Sequence, residues 1–209
     1  MGNYCCKHPL VSVVIPTRNR PELVCRAIKS ALSQTYDNIE IIVVVDGADE
    51  PTITALQKFS SQRARVIELR DNVGGCEARN IGIRASKGTW IALFDDDDRW
   101  LPTKIERQVE LALRSQHPQS CLVLCRYYSV REPSMRIFEQ GGVPEPGEPF
   151  AEFLLSSRGG YQSSVIFASR ELFLRVPFRF GLKKHQDWDW LLRVSKEPLF
   201  EVSVVDELL

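Results

Sequence analysis

The chain has 209 residues, 44% hydrophobic and 26% charged, which suits a single globular domain and excludes disordered or collagen-like chains. Lys+Arg and Asp+Glu both number 27, so the formal net charge is zero and no bulk field favours nucleic acid or an anionic membrane surface. Any charge-driven binding must come from local clusters.

Met1 to Pro9 lacks the apolar core of a secretory signal, and no apolar run approaches the roughly 20 residues that cross a bilayer. The expectation is a soluble cytoplasmic protein, with peripheral association at the inner face of the membrane left open. The six cysteines (Cys5, Cys6, Cys25, Cys76, Cys121, Cys125) lack the paired spacings of a disulfide framework or a zinc site. They read as reduced thiols, with Cys121 and Cys125 a buried pair on one strand.

Leu10 to Ile15 is a short, nearly all-apolar strand of the kind buried on both faces of a parallel sheet. It stops at Pro16-Thr17-Arg18-Asn19-Arg20. Pro21 suits the first turn of a helix, whose stripe is Val24, Ala27, Ile28, Ala31 and Leu32. A second strand, Ile39 to Val45, ends at Asp46-Gly47. A weaker helix over Pro51 to Phe59 and a third strand over Ala64 to Leu69 follow. Asn72-Val73-Gly74-Gly75 precedes a helix with Ala78, Ile81, Gly82 and Ala85 on one face. The fourth strand is Thr89 to Phe94, and Trp100-Leu101-Pro102 opens a helix with Ile105, Val109, Ala112 and Leu113 as its apolar positions. Four strand–helix alternations predict an α/β, Rossmann-like, mostly parallel sheet with helices on both faces and right-handed crossovers.

After about residue 120 the rhythm changes. Cys121 to Val130 reads as a longer strand and Arg136 to Glu139 as its antiparallel partner. Gly141 to Pro149 is a loop, Pro149 to Ser156 a short helix, Ser163 to Ala168 a strand and Asp187 to Val194 a helix. This half is expected to be mixed and packed onto one edge of the sheet.

Phe94 runs into Asp95, Asp96, Asp97 and Asp98. Two carboxylates about 4 Å apart repel by roughly 4 kcal/mol at an effective dielectric near 20, a cost that an Asn-Gly turn would avoid. Either the group is fully solvated or something cationic sits there, and a divalent metal is the reading adopted. Mg²⁺ commonly takes one or two carboxylates plus substrate phosphates, so four aspartates leave some to bind a sugar or ribose hydroxyl or to cap the next helix. Ligands of open sheets bind outside the carboxyl ends of the strands. Thr17-Arg18-Asn19, Asp46 and Asp95 to Asp98 should therefore face one crevice.

Each candidate has a plainer alternative. Asp46 is either a turn former before Gly47 or an acceptor for a base N–H or ribose hydroxyl. Gly74-Gly75 at a helix start is either an anion cradle or a tight turn, and Arg79 either a phosphate contact or a solvated face. Asp189 has Arg193 at i+4 as an ion-pair partner. Asp187 lacks such a partner, which leaves it as a helix cap or a general base. His185 is more ordinary as a surface residue than as a ligand.

These segments, in this order, resemble the family 2 glycosyltransferases, the inverting group with the GT-A fold. The matching stretches are Val13 to Arg20, Ala27 to Tyr36, Glu40 to Gly47, Asn72-x-Gly74-x-x-x-Ala78-Arg79-Asn80-x-Gly82, Phe94 to Pro102, Gln162 to Val165 and Gln186-Asp187-Trp188-x-x-x-Leu192-Arg193. The resemblance implies one GT-A domain over 1–209, with a nucleotide-sugar half (1–120) and an acceptor-side half (121–209). It implies a nucleoside-diphosphate sugar donor, UDP-sugar favoured, and a hydroxyl of a glycan or lipid-linked acceptor, with no nucleic acid partner. Pro16, Thr17, Arg18, Asp46 and Arg79 would line the nucleotide pocket. Asp95 and Asp96 would hold ribose and donor sugar, Asp97 and Asp95 the Mn²⁺ or Mg²⁺, and Asp187 would be the base. The chain departs from the family in three places: Val45 stands where the first of two paired aspartates is usual, Gln186 where glutamate is common, and many members continue beyond the position of Leu209. Two rivals are a nucleotidyltransferase, which would want a Gly-rich loop in place of Pro16-Thr17-Arg18-Asn19, and a non-catalytic nucleotide- or carbohydrate-binding module.

Overall fold

The computed structural model describes residues 7–59, 63–131 and 136–209; Cys5 and Cys6, read above with the others as reduced thiols, lie outside them. The first apolar run forms β1 (Val11–Thr17), which pairs in parallel with β2 (Ile39–Val45) on one side and β4 (Trp90–Leu93) on the other. β3 (Ala64–Glu68) extends the parallel set beyond β2. Alternation along β2 sorts its side chains between two layers. Ile41, Val43 and Val45 join the main core with Val24, Ala27 and Ile28 of α1 (Pro21–Leu32), while Ile42 and Val44 pack on Ala78 of α3 (Gly75–Ala85). Helices thus cover both faces, and the near-continuous apolar strands are explained.

α3 approaches the sheet through Gly82. A Cβ there would stand 2.5 Å from Val14 Cγ1, closer than carbon atoms can pack. The weaker helix is α2 (Glu50–Leu56), whose N-cap Asp49 accepts the Thr52 N–H at 3.2 Å, followed by a 3-10 turn at Gln57–Phe59.

The second half is mixed and sits on one edge of the parallel set, as expected, and it does so by prolonging the sheet. β7 (Phe167–Ser169) pairs antiparallel with β4, and β5 (Cys121–Arg131) antiparallel with β7. β5 also holds β6 (Arg136–Gln140) antiparallel and β8 (Glu201–Leu208) parallel. The result is one eight-stranded sheet, ordered β3-β2-β1-β4-β7-β5-β6 with β8 beside β5.

Three expectations shift. The strand placed over Ser163–Ala168 becomes a 3-10 turn at Ser163–Val165 before β7, because Gln108 Nε2 takes the Val165 carbonyl at 2.9 Å and the Ser164 hydroxyl is turned to the acidic loop. Pro102 only leads into α4 (Lys104–Ala112), which starts after Thr103, and Leu113 is exposed instead of core. α6 (Arg170–Arg175) and β8 carry no strong local periodicity and were not anticipated. The remaining helices are α5 (Phe150–Leu155) and α7 (Gln186–Val194). Cys25, Cys76, Cys121 and Cys125 are buried free thiols, and burial pushes Cys121 up to about 12. Among the described residues, no helix is long and apolar enough to cross a membrane.

Candidate active site

The carboxyl ends of β1, β2 and β4 open onto one cleft of about 420 Å³. Pro16, Thr17, Arg18 and Arg20 line it from the β1 loop, Asp46 from β2, Gly75, Ala78 and Arg79 from α3, and Asp95, Asp96 and Asp97 from the loop after β4. Every residue proposed for nucleotide, sugar or metal contact reaches this cleft. Asp187 does not line it.

Asp95 to Asp98 form a tight turn, closed by the Asp98 N–H donating to the Asp95 carbonyl at 3.3 Å. The turn spreads its four carboxylates over several partners. Asp95 Oδ1 accepts from Arg79 Nη2 at 2.5 Å. Asp96 is buried and accepts from the Thr17 hydroxyl at 2.6 Å and from Arg20 Nη1 at 2.9 Å. Asp97 is exposed and shares Arg20 Nη1 at 3.0 Å. Asp98 accepts from the Ser164 hydroxyl at 2.5 Å.

The like-charge cost predicted from sequence is therefore met first by two guanidiniums of the chain. Burial still pushes Asp96 above the usual carboxylate range against the pull of Thr17 and Arg20, and pushes Asp98 up to about 6. Arg79 lies buried on the inner wall, where desolvation opposes its charge; Asp95 outweighs this and holds it protonated.

The turn rests on a scaffold from α1. Trp100 stacks on Phe94 with ring centroids 3.8 Å apart, and its backbone N–H donates to the Ser30 hydroxyl at 2.9 Å. Gln34 accepts the Ile105 N–H at 3.0 Å and donates to the Leu101 carbonyl at 2.8 Å. The Ser30-to-Tyr36 stretch that resembled a family motif is thus the support under the acidic loop.

Asp46 accepts the Val73 and Gly74 N–H groups at 2.7 and 2.9 Å, so it fixes the start of α3 as well as facing the cleft. Gly74 has a φ of 85°, a conformation that favours glycine, and caps α3; Gly75 lines the cleft. In the same helix Asn80 Nδ2 donates to the Phe178 carbonyl and Asn80 Oδ1 accepts the Phe178 N–H, both at 2.9 Å. That exchange docks the segment leading to α7.

Asp187 lies in the first turn of α7, where its Oδ1 accepts the Trp188 N–H at 2.9 Å. Burial raises its pKa, with the Asp95 charge adding and Arg79 opposing. It therefore sits within electrostatic reach of the cleft without forming its wall. Gln186 makes the physical link, accepting from Arg79 Nη1 at 2.7 Å. Tyr127, pushed up to about 12 chiefly by burial, feels both Asp187 and Asp98. Asp189 pairs with Arg193 at 2.9 Å, as its spacing suggested, and also with Arg179 at 3.2 Å. His185 is exposed at the α7 N-cap, away from the cleft lining.

Asp98, expected at the crevice with its three neighbours, does not line the cleft because its carboxylate is taken by Ser164. Sequence reasoning did not single out Arg20 or Ser164 for a part in the site. Arg20 had a signal, its place in the polar run after β1. Ser164 had only an unassigned pair of serines.

Among the described residues, no three His, Cys, Asp or Glu side chains converge into a metal cage. Asp97 is half exposed and Asp95 partly exposed on the same turn. Two carboxylates suffice for an Mg²⁺ or Mn²⁺ that completes its shell with a diphosphate and water. The donor set fits such a shared ion and does not fit an ion held by the protein alone.

A profile described as Glycosyl transferase family 2 matches residues 12–179. The putative colanic acid biosynthesis glycosyl transferase WcaA of Escherichia coli K12 is 32% identical over 197 residues, covering 91% of this chain and 67% of that protein. Crystalline S. aureus TarS 1-349 in complex with UDP-GlcNAc superimposes with a TM-score of 0.70 at 20% identity, over 94% of this chain and 56% of that one. The mannosyltransferase PcManGT from Pyrobaculum calidifontis in complex with GDP-Man and Mn²⁺ gives 0.67 at 17% identity, over 96% and 55%. At these identities the two structures establish the fold, GT-A. The chain spans at most about two thirds of the length of these relatives.

Proposed function

The chain belongs to glycosyl transferase family 2, and from that premise we propose that it transfers a sugar from a nucleoside-diphosphate donor, UDP-sugar favoured, to an acceptor hydroxyl with inversion. The observation that carries this reading is the convergence of Thr17, Asp46, Arg79 and the Asp95–Asp97 turn on one cleft at the carboxyl ends of three parallel strands. UDP-GlcNAc bound by TarS and the colanic acid role in the WcaA name support a UDP-sugar and a glycan or lipid-linked acceptor.

In the proposed reaction Asp46, Thr17 and Arg18 hold the nucleoside, and Arg79 and the N-terminus of α3 face the diphosphate. Asp97 and Asp95 would hold Mn²⁺ or Mg²⁺ beside it; when bound, the ion stabilises the negative charge that gathers on the leaving diphosphate. The acceptor oxygen attacks the anomeric carbon from the side opposite the diphosphate. The new glycosidic bond forms as the bond from carbon to phosphate oxygen breaks, and one displacement inverts the anomeric centre. Asp187 takes the acceptor's proton; burial raises its pKa, which makes its carboxylate a better proton acceptor than a solvated aspartate.

Calorimetry with UDP, GDP and dTDP, with and without Mn²⁺, followed by a donor-hydrolysis and transfer assay, tests the reading. Metal-enhanced binding of one nucleotide with turnover supports it. Binding without hydrolysis or transfer favours a binding module, and no heat with any nucleotide ends the proposal.

A further inference from the structure

The acidic turn is held from outside by a residue 69 positions later in the chain. The Ser164 hydroxyl accepts the Asp95 N–H at 2.9 Å and donates to Asp98 Oδ2 at 2.5 Å, so one oxygen joins both ends of the turn. Ser164 is itself immobilised. Its carbonyl accepts from Trp100 Nε1 at 2.9 Å, and the next carbonyl, of Val165, accepts from Gln108 Nε2 at 2.9 Å. The 3-10 turn that carries it is closed by the Ile166 N–H donating to the Ser163 carbonyl at 3.0 Å, and Ile166 in turn accepts the Leu93 N–H at 3.1 Å. Ser164 and Trp100 are both buried, and Trp100 stacks on the Phe94 ring with the Lys104 ammonium 4.2 Å from its centroid.

Asp98 therefore points away from the cleft, and it is absent from the cleft lining to which Asp95, Asp96 and Asp97 belong. The fourth aspartate is satisfied by Ser164, and the two together set the pitch of the three that face the substrate. We propose that Ser164, acting through Asp98 and the Asp95 N–H, is a positioning residue that holds the Asp95 and Asp97 carboxylates in the spacing needed to take a divalent cation together with a nucleoside diphosphate. This rests on the donor reading above. Neither Ser164 nor Asp98 lines the cleft. Loss of such supporting contacts typically costs about 10- to 100-fold in metal affinity.

The test is calorimetric titration of UDP in the presence and absence of Mn²⁺, on the intact protein and on Ser164→Ala, Asp98→Ala and the double variant, with melting temperatures recorded alongside. The expected result is a Kd for UDP with Mn²⁺ raised about tenfold or more in each single variant, with metal-free UDP affinity changed less than about twofold. The double variant should lose no more than either single one, since the two side chains form one unit. If Ser164→Ala fails to fold, Asp98→Ala carries the test alone. Unchanged Mn²⁺-dependent affinity in a folded variant overturns the proposal. Equal losses with and without metal assign these residues to general stability and overturn it too. If the intact protein binds no nucleotide under either condition, it is the donor reading that fails, and this proposal goes with it.

Discussion

Arg79 and Asp95 form an ion pair 2.5 Å long on the inner wall of the cleft, and the other arm of the same guanidinium holds Gln186, the residue before the proposed base. One side chain on α3 thus connects the acidic loop of the donor side to the helix of the acceptor side. The Arg79 Cζ also lies 5.8 Å from the Phe178 ring, against which its planar face can rest. Lysine supplies the charge without the fork.

Arg79→Lys should therefore lower stability by roughly 2–3 kcal/mol, below the 3–5 typical of a broken fully buried pair because Asp95 reaches solvent. Nucleotide affinity should fall about tenfold or more. Chemical denaturation and UDP titration measure the two effects; an unchanged unfolding midpoint would show that the two-armed fork contributes nothing to folding beyond its charge.

Asp187→Asn should cut turnover by about 10²-fold or more, in line with general-base contributions, while donor affinity stays within about twofold. A transfer assay and a binding titration on the same preparation separate these quantities. Turnover equal to the parent removes Asp187 from the role.

Asp97→Asn changes an exposed residue, so stability should stay within about 0.5 kcal/mol. The Mn²⁺-dependent part of nucleotide binding should drop about tenfold or more. Retention of the full metal effect would move the cation to other carboxylates.

Lys104 gives a pH signature. It is wholly buried, bonded to Gln108 Oε1 at 2.6 Å, with its pKa lowered from 10.5 to about 8 by desolvation. A base with a depressed folded pKa holds fewer protons folded than unfolded between those values, so stability rises with pH from about 8 to 10.5 and the full cost of the buried charge is present below 8. Lys104→Met should flatten that rise. Denaturation of both proteins at pH 7.5 and 10 checks it, since other groups cancel in the comparison; parallel curves would refute it.

Gly82→Ala places a methyl 2.5 Å from Val14 Cγ1 and 3.2 Å from Val44 Cγ2. Overpacking between α3 and the sheet should cost about 1–3 kcal/mol. A melting temperature at or above the parent's would show that the helix can lift off without loss.

Much of this molecule was written locally. Apolar runs at 10–15, 39–45 and 89–94, broken by amphipathic stripes, dictate parallel strands and covering helices, because burial on both faces and burial on one face leave different periodicities. That reading gave the order of β1 to β4, and strand ends placed Thr17, Asp46 and Asp95 at one crevice. Motifs gave residue types without reasons: Asn80 turned out to dock Phe178, and Gly82 to admit Val14.

What no local pattern contains is the identity of partners far apart in the chain. Arg20 meets Asp96 across 76 positions and Ser164 meets Asp98 across 66. Arg79 was as plausible on a solvated face as on the inner wall until α3 was seated on the sheet by Gly82. The sequence by itself determined the four parallel strands, the acidic tip and the candidate base, since hydrophobic period and charge act over a few residues. Only the tertiary structure decided which partner answers each aspartate, because an ion pair or hydrogen bond depends on a few ångströms of separation that packing alone sets.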